Sequence, residues 1–197
     1  QVLQRVAGIL RAQPAQALPA FSHQTGDACT ACHIGSFGPQ LTPHGREFKL
    51  NGYSNGKPGL ASYPPVSAMV ESSFSSTGKN VPEAAPGFST NDNLAVDEVG
   101  LFLAGQIYDH LGIFAQVTWN GIEHKWEWDN SDLRYGRDFQ IAGVDTILGV
   151  SINNNPTISD PYNTLPGWGY PYQSAGLAPA PAASTLLEGG LGQRVIG

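Results

Sequence analysis

The spacing of hydrophobic positions changes near residue 65. Before it, Val2, Val6, Ile9 and Leu10 would share one face of a short helix, followed by a Pro- and Ala-rich connector. Ala15-Gln16-Ala17 also has the small-x-small form of a cleavage site. Residues 1–20 therefore read as an N-terminal helix or a targeting remnant. Phe21 to Asp27 reads as a loop. Thr42-Pro43 has the form of an N-cap and first helical residue, and Asn51-Gly52 ends that helix, leaving Phe48 and Leu50 to cover a ligand edge.

After residue 65 the period is two. Val66, Ala68, Val70, Ser72 and Phe74 alternate with Ser67, Met69, Glu71 and Ser73, which predicts a strand. A Pro/Gly/Ser loop over 76–92 leads into a long strand, Leu94 to Tyr108, apolar on both faces around Val99, Leu101, Phe102 and Leu103. Asp109 to Gly112 reads as a turn, Ile113 to Trp119 as a strand, and Asn120-Gly121 as a hairpin signal. His124 to Trp128 alternates strictly, and further strands are expected over 132–138 and 139–152. Residues 153–183 look irregular, and a new alternating segment could begin at Val195.

The expected fold class is mainly β: a short helical and loop segment over 21–64, then antiparallel hairpins over 65–197. Long hairpins with Trp and Tyr near strand ends and little charge are the pattern of an outer-membrane β-barrel. A soluble β-sandwich or a β-rich cap is the alternative. A closed barrel takes at least about eight strands and the periodicity supplies five or six, so the barrel reading makes this stretch the N-terminal part of one.

Composition narrows this. With 24 Gly, 15 Pro and 13% charged residues, a helical bundle is disfavoured. A net charge of −6 with no Lys/Arg cluster argues against nucleic acid as a partner. No apolar run reaches the length of about 18 residues that a transmembrane helix needs.

The chemistry is concentrated in Cys29-Thr30-Ala31-Cys32-His33. C-x-x-C-H is the attachment pattern of c-type haem. Two thiols about one turn apart add across the two vinyl groups of one porphyrin, and the adjoining histidine becomes the proximal iron ligand. Three other chemistries share the C-x-x-C pattern. A thioredoxin-type dithiol would open a helix after a buried strand. A zinc site would need a distant histidine beside Cys29, Cys32 and His33. A disulfide across two residues would be strained. The reading is one covalent haem c held by Cys29, Cys32 and His33, which implies export. The sixth ligand is open among His110, Met69, His23, His44 and His124, with His110 and Met69 leading. Met69 is the only methionine, and thioether ligation would raise the potential. Asp92, Asp97, Glu98, Glu127 and Asp129 read as strand ends and turns rather than catalytic pairs. Trp119, Trp126, Trp128 and Trp168 read as packing or membrane-girdle residues, although they could also shorten an electron path. No Ser/His/Asp, G-x-G-x-x-G or P-loop motif appears.

Phe21 to Gly26 leading into the motif, then Leu41 to Tyr53, resembles exported monohaem cytochromes with a β-rich, porin-like continuation. Gly112 to Thr118 and Ser151 to Thr157 resemble the same proteins. The plan is similar to outer-membrane cytochrome–porin fusions of iron-oxidising bacteria, which pass electrons from extracellular donors into the periplasm. The resemblance implies a monohaem electron carrier of the Gram-negative periplasm or outer membrane, not an enzyme, working with a redox partner protein or an extracellular donor or acceptor. Two alternatives stand beside it. One is a structural haem-bearing subunit that self-associates, for example through an exposed strand edge at 113–119. The other is a haem sensor or enzyme with an open distal site.

Overall fold

The computed structural model describes residues 19–34, 40–54, 65–154, 160–162, 175–177 and 195–196. The readings of residues 1–18 and of Trp168 lie outside these. Among the described residues three short helices precede the strands: α1 (Pro19–Thr25), α2 (Cys29–Cys32) and α3 (Pro43–Leu50). Six strands follow: β1 (Val66–Ser75), β2 (Asn93–Tyr108), β3 (Leu111–Asn120), β4 (Lys125–Ile141), β5 (Val144–Asn153) and the two-residue β6 (Val195–Ile196). They form one antiparallel sheet in chain order. The mainly-β expectation is met by this meander.

Several boundaries differ from expectation. Phe21 to Thr25 is helical, not a loop. The turn after β2 takes only Asp109 and His110, because Leu111 and Gly112 already pair with Tyr108 and Gln106. Residues 132–152 divide at Ala142-Gly143 rather than at 138, since β4 runs unbroken from Lys125 to Ile141. Both turn residues have positive φ (52° and 79°), the geometry that matches a tight two-residue turn to strand twist. The 113–119 segment offers no edge for self-association, because β3 is paired on both sides, to β2 and to β4.

The sheet is apolar on its exposed face and polar on its covered face. One face carries Val66, Val70, Leu101, Leu103, Leu133, Tyr135, Val150 and Ile152 in register across the strands, and all are exposed. Leu94 is 77% exposed and Trp128 66%. The other face carries Gln106, Gln116, Thr118, Asn130, Asp132, Arg134, Ser151 and Asn153, all buried, with Gln116 and Asp132 each 1% exposed. Bulges preserve this division. An extra residue at Asp97 and another at Asp129 reset the alternation, so Trp119, Trp126, Val117 and Trp128 stay on the apolar face. The middle of β2 is apolar on both faces, as expected: Leu101 and Leu103 face outward, and Phe102 faces the covered side.

The helical segment covers that polar side. An apolar cluster of Ala20, Phe48, Tyr53, Phe102, Ala104 and Phe114 joins the two layers, with Phe21 and Met69 packed against it. Phe48 is therefore used in the core, edge-on to Phe21 at 5.1 Å, and not as cover for a ligand edge. Contact is closest where the end of α3 crosses β4, because a Cβ at Gly136 would land on the Leu50 carbonyl. Gly136→Ala should lower stability by about 1–3 kcal/mol, the usual cost of overpacking, and should raise hydrogen exchange in residues 40–54. Gly78→Ala, where a Cβ meets nothing, should be neutral. Equal effects of the two would contradict this packing.

Candidate functional site

Cys29 and Cys32 begin and end α2, so their side chains leave the same side of a single helical turn. The His33 amide donates to the Cys29 carbonyl at 2.8 Å and closes that turn. His33 itself is extended (φ −114°, ψ 136°) and bridges to Leu41. Neither thiol is in a disulfide, and both are half-buried.

The sequence after the motif folds back over it. Thr42 does most of this work. Its amide donates to the Cys32 carbonyl at 2.9 Å, and its hydroxyl donates to the Ala31 carbonyl at 2.6 Å. The same hydroxyl accepts from the Gly45 amide at 3.2 Å, capping α3. Gly45 is required by the fit, since a Cβ there would land on the Cys32 carbonyl. The first turn of α3 is thereby clamped against the second cysteine.

This clamp brings together three groups. His44 Nε2 lies 2.8 Å from Asp27 Oδ2. With the Cys32 thiol, their donor atoms all fall within 4.8 Å of one another. Asp27 is fixed from its backbone: the Ser22 hydroxyl donates to its carbonyl at 2.6 Å, and its amide donates to the Thr25 hydroxyl at 3.1 Å. Burial pushes the Cys32 thiol pKa up, with the nearby Asp27 and Cys29 adding to the effect. In sequence His44 stands eleven residues beyond His33. The signal for its position was the Thr42-Pro43 helix start, which turns the chain back onto the motif.

The two leading sixth-ligand candidates sit elsewhere. The His110 ring lies in the β2–β3 turn at positive φ, edge-on to Tyr135 of the apolar face at 6.3 Å. Met69 faces the covered side of β1 and packs on the apolar cluster. His124 stacks on Trp119 at 5.9 Å at the opposite end of the sheet, and His23 is exposed in the last turn of α1. Trp126 and Trp128 are on the apolar face.

No protein-family model, curated protein or solved structure matches this chain.

Polar groups of the sheet hold the segment in place. Burial, with Asp132 adding to it, keeps the Tyr53 hydroxyl protonated well above the usual tyrosine range. It donates to Asp132 Oδ2 at 2.6 Å, and Arg134 Nε donates to the same oxygen at 3.0 Å. A hydrogen bond to a charged group is worth about 1.5–3 kcal/mol. Gln24 bridges the layers: its amide donates to the Tyr53 carbonyl at 2.6 Å, and its oxygen accepts from the Gln106 amide at 2.8 Å. Residues 160–162 return over α3, where Lys49 Nζ donates to the Asp160 carbonyl at 2.7 Å and Arg46 lies over the Tyr162 ring.

Lys49 gives this docking a pH dependence. Burial, reinforced by Arg134 and opposed by Asp132 and Asp160, lowers its ammonium from 10.5 to about 7. Between those values the unfolded chain binds a proton that the folded chain has released, so stability rises with pH across the window. Below about 7 both states are charged and the cost is fully present. Thermal unfolding from pH 7 to the ordinary tyrosine value of 10.0 should show this rise, and Lys49→Met should flatten it. An unchanged slope in the variant would contradict the assignment.

Proposed function

We propose that this chain is a monohaem c-type cytochrome that carries single electrons at the outer membrane, with the haem-bearing segment seated on the lumen side of a β-barrel wall. The observation that carries the reading is the C-x-x-C-H turn itself, clamped onto α3, which packs on the polar face of a sheet whose other face is apolar. The donor set fits the group. Two unbridged, half-buried thiols leave one side of a four-residue helix, and an imidazole follows directly. Cys29 and Cys32 would hold the haem and His33 would ligate its iron, which when bound cycles between Fe(III) and Fe(II). The segment's own contribution is rigidity: Thr42 and Gly45 fix the motif, and Tyr53, Gln24 and Asp132 fix the segment to the wall.

The membrane reading is supported by the inverted faces, which match the apolar-out, polar-in pattern of transmembrane barrels. Strands β1, β3 and β5 are ten residues each, within the 9–11 that a tilted transmembrane strand requires. Full burial of one Val, Leu, Ile or Phe side chain is worth about 1.5–3 kcal/mol. A whole face of them left in water would forgo more than the roughly 5–15 kcal/mol that stabilises a typical fold, so the face calls for an apolar cover.

Optical spectra of protein made with cytochrome-maturation machinery test the function. Sharp reduced bands unaffected by carbon monoxide are expected for a six-coordinate carrier, and Cys32→Ser should abolish covalent retention of the chromophore. A large carbon monoxide shift would replace the carrier with a sensor or enzyme. No haem bands in the wild type would overturn the reading.

A further inference from the structure

We propose that Cys32, His44 and Asp27 form a binding site for a divalent metal ion of the zinc class, which the chain can fill while its thiols are reduced. A thiolate, an imidazole and a carboxylate make up a donor set suited to Zn(II), and three protein ligands with an open position are a recurrent zinc arrangement. This is the only group of three or more such donors, among the described residues, close enough to hold a metal.

The geometry is prepared by separate anchors. Cys32 ends α2, with its carbonyl held by the Thr42 amide. His44 stands in the first turn of α3, next to Gly45, which packs on the same carbonyl. Asp27 is held through Ser22 and Thr25. The site is also accessible, since the side chains of His44 and Asp27 are 51% and 39% exposed. An ion entering from solvent would exchange the His44–Asp27 hydrogen bond for two coordinate bonds and release the Cys32 thiol proton to water. No electron is transferred. Affinity should therefore fall as pH falls.

This site goes beyond the haem proposal and competes with it. A sulfur spent in a thioether has no thiolate to offer, so metal uptake and haem attachment exclude each other at Cys32. The metal-filled chain would be a protected form of the attachment motif.

The test is a titration of the reduced full chain, made without haem attachment, with Co(II) alone. One equivalent should produce thiolate-to-cobalt charge-transfer absorption, and Zn(II) should displace it. His44→Ala and Asp27→Asn should each weaken binding by more than about tenfold, since even groups behind the metal ligands cost 10–100-fold when removed. Cys29→Ser should leave binding unchanged. Strand circular dichroism of each variant reports whether the fold survives. Absence of the band in the wild type, or its loss in Cys29→Ser with retention in His44→Ala, would overturn the site. The haem reading is judged separately: His44→Ala made with maturation machinery should still receive haem. Wild type that binds cobalt but never receives haem would refute that reading and leave this one standing.

Discussion

The constraint on which the structure depends is the inversion of its sheet. Side chains on a strand alternate strictly, so putting Leu101, Leu133 and Val150 outward forces Gln116, Asp132 and Ser151 inward. Buried polar groups are costly unless paired, and here the pairing comes partly from within the wall and partly from the helical segment. Asn130 donates to Gln116 at 3.0 Å within the sheet. Asp132 needs Tyr53 from the segment as well as Arg134 from its own strand. The sheet and the segment thus supply part of each other's pairing.

That dependence explains how a very short motif acquires a defined environment. Four residues of helix have little stability alone. The C-x-x-C-H turn is held because Thr42 and Gly45 press α3 onto it, and α3 is held because Leu50 crosses Gly136 and Tyr53 reaches Asp132. Rigidity passes from sheet to α3 to motif through backbone contacts that tolerate no added side chain. The same chain of contacts places His44 and Asp27 beside Cys32, which makes one cysteine the candidate for two kinds of occupant.

Much of the fold was legible. The two-residue period located β1, β2 and β3 but cut β4 into pieces and joined its last residues to β5, and the alternation of Val66, Ala68, Val70 and Phe74 against Met69 and Glu71 separated the two faces of β1. What the period could not show was which face would be covered, because that depends on the separate helical segment. Bulges hid register: Asp97 in β2 and Asp129 in β4 each shift the alternation by one, and the second interrupts the period inside a single strand. Phe21 to Thr25 looked like a loop because its polar residues obscure a helix held by tertiary contacts, chiefly Gln24 with Tyr53 and Gln106. In the site, the C-x-x-C-H spacing of Cys29, Cys32 and His33 stands in the sequence itself. The proximity of His44 and Asp27 was not, since it arises from a fold-back across residues 33–44. His110 and Met69 were attractive by residue type, yet a turn and a strand direct one to Tyr135 and the other to the apolar cluster.

The most direct test of the inverted wall is quenching of tryptophan fluorescence in reconstituted vesicles. A Trp168→Phe chain retains Trp119, Trp126 and Trp128, all assigned to the apolar face. Lipids brominated on their acyl chains should quench this emission strongly, and aqueous iodide should have little effect. Quenching by iodide with no response to brominated lipid would mean that this face meets water or protein, and the account of the sheet as a membrane wall would be wrong.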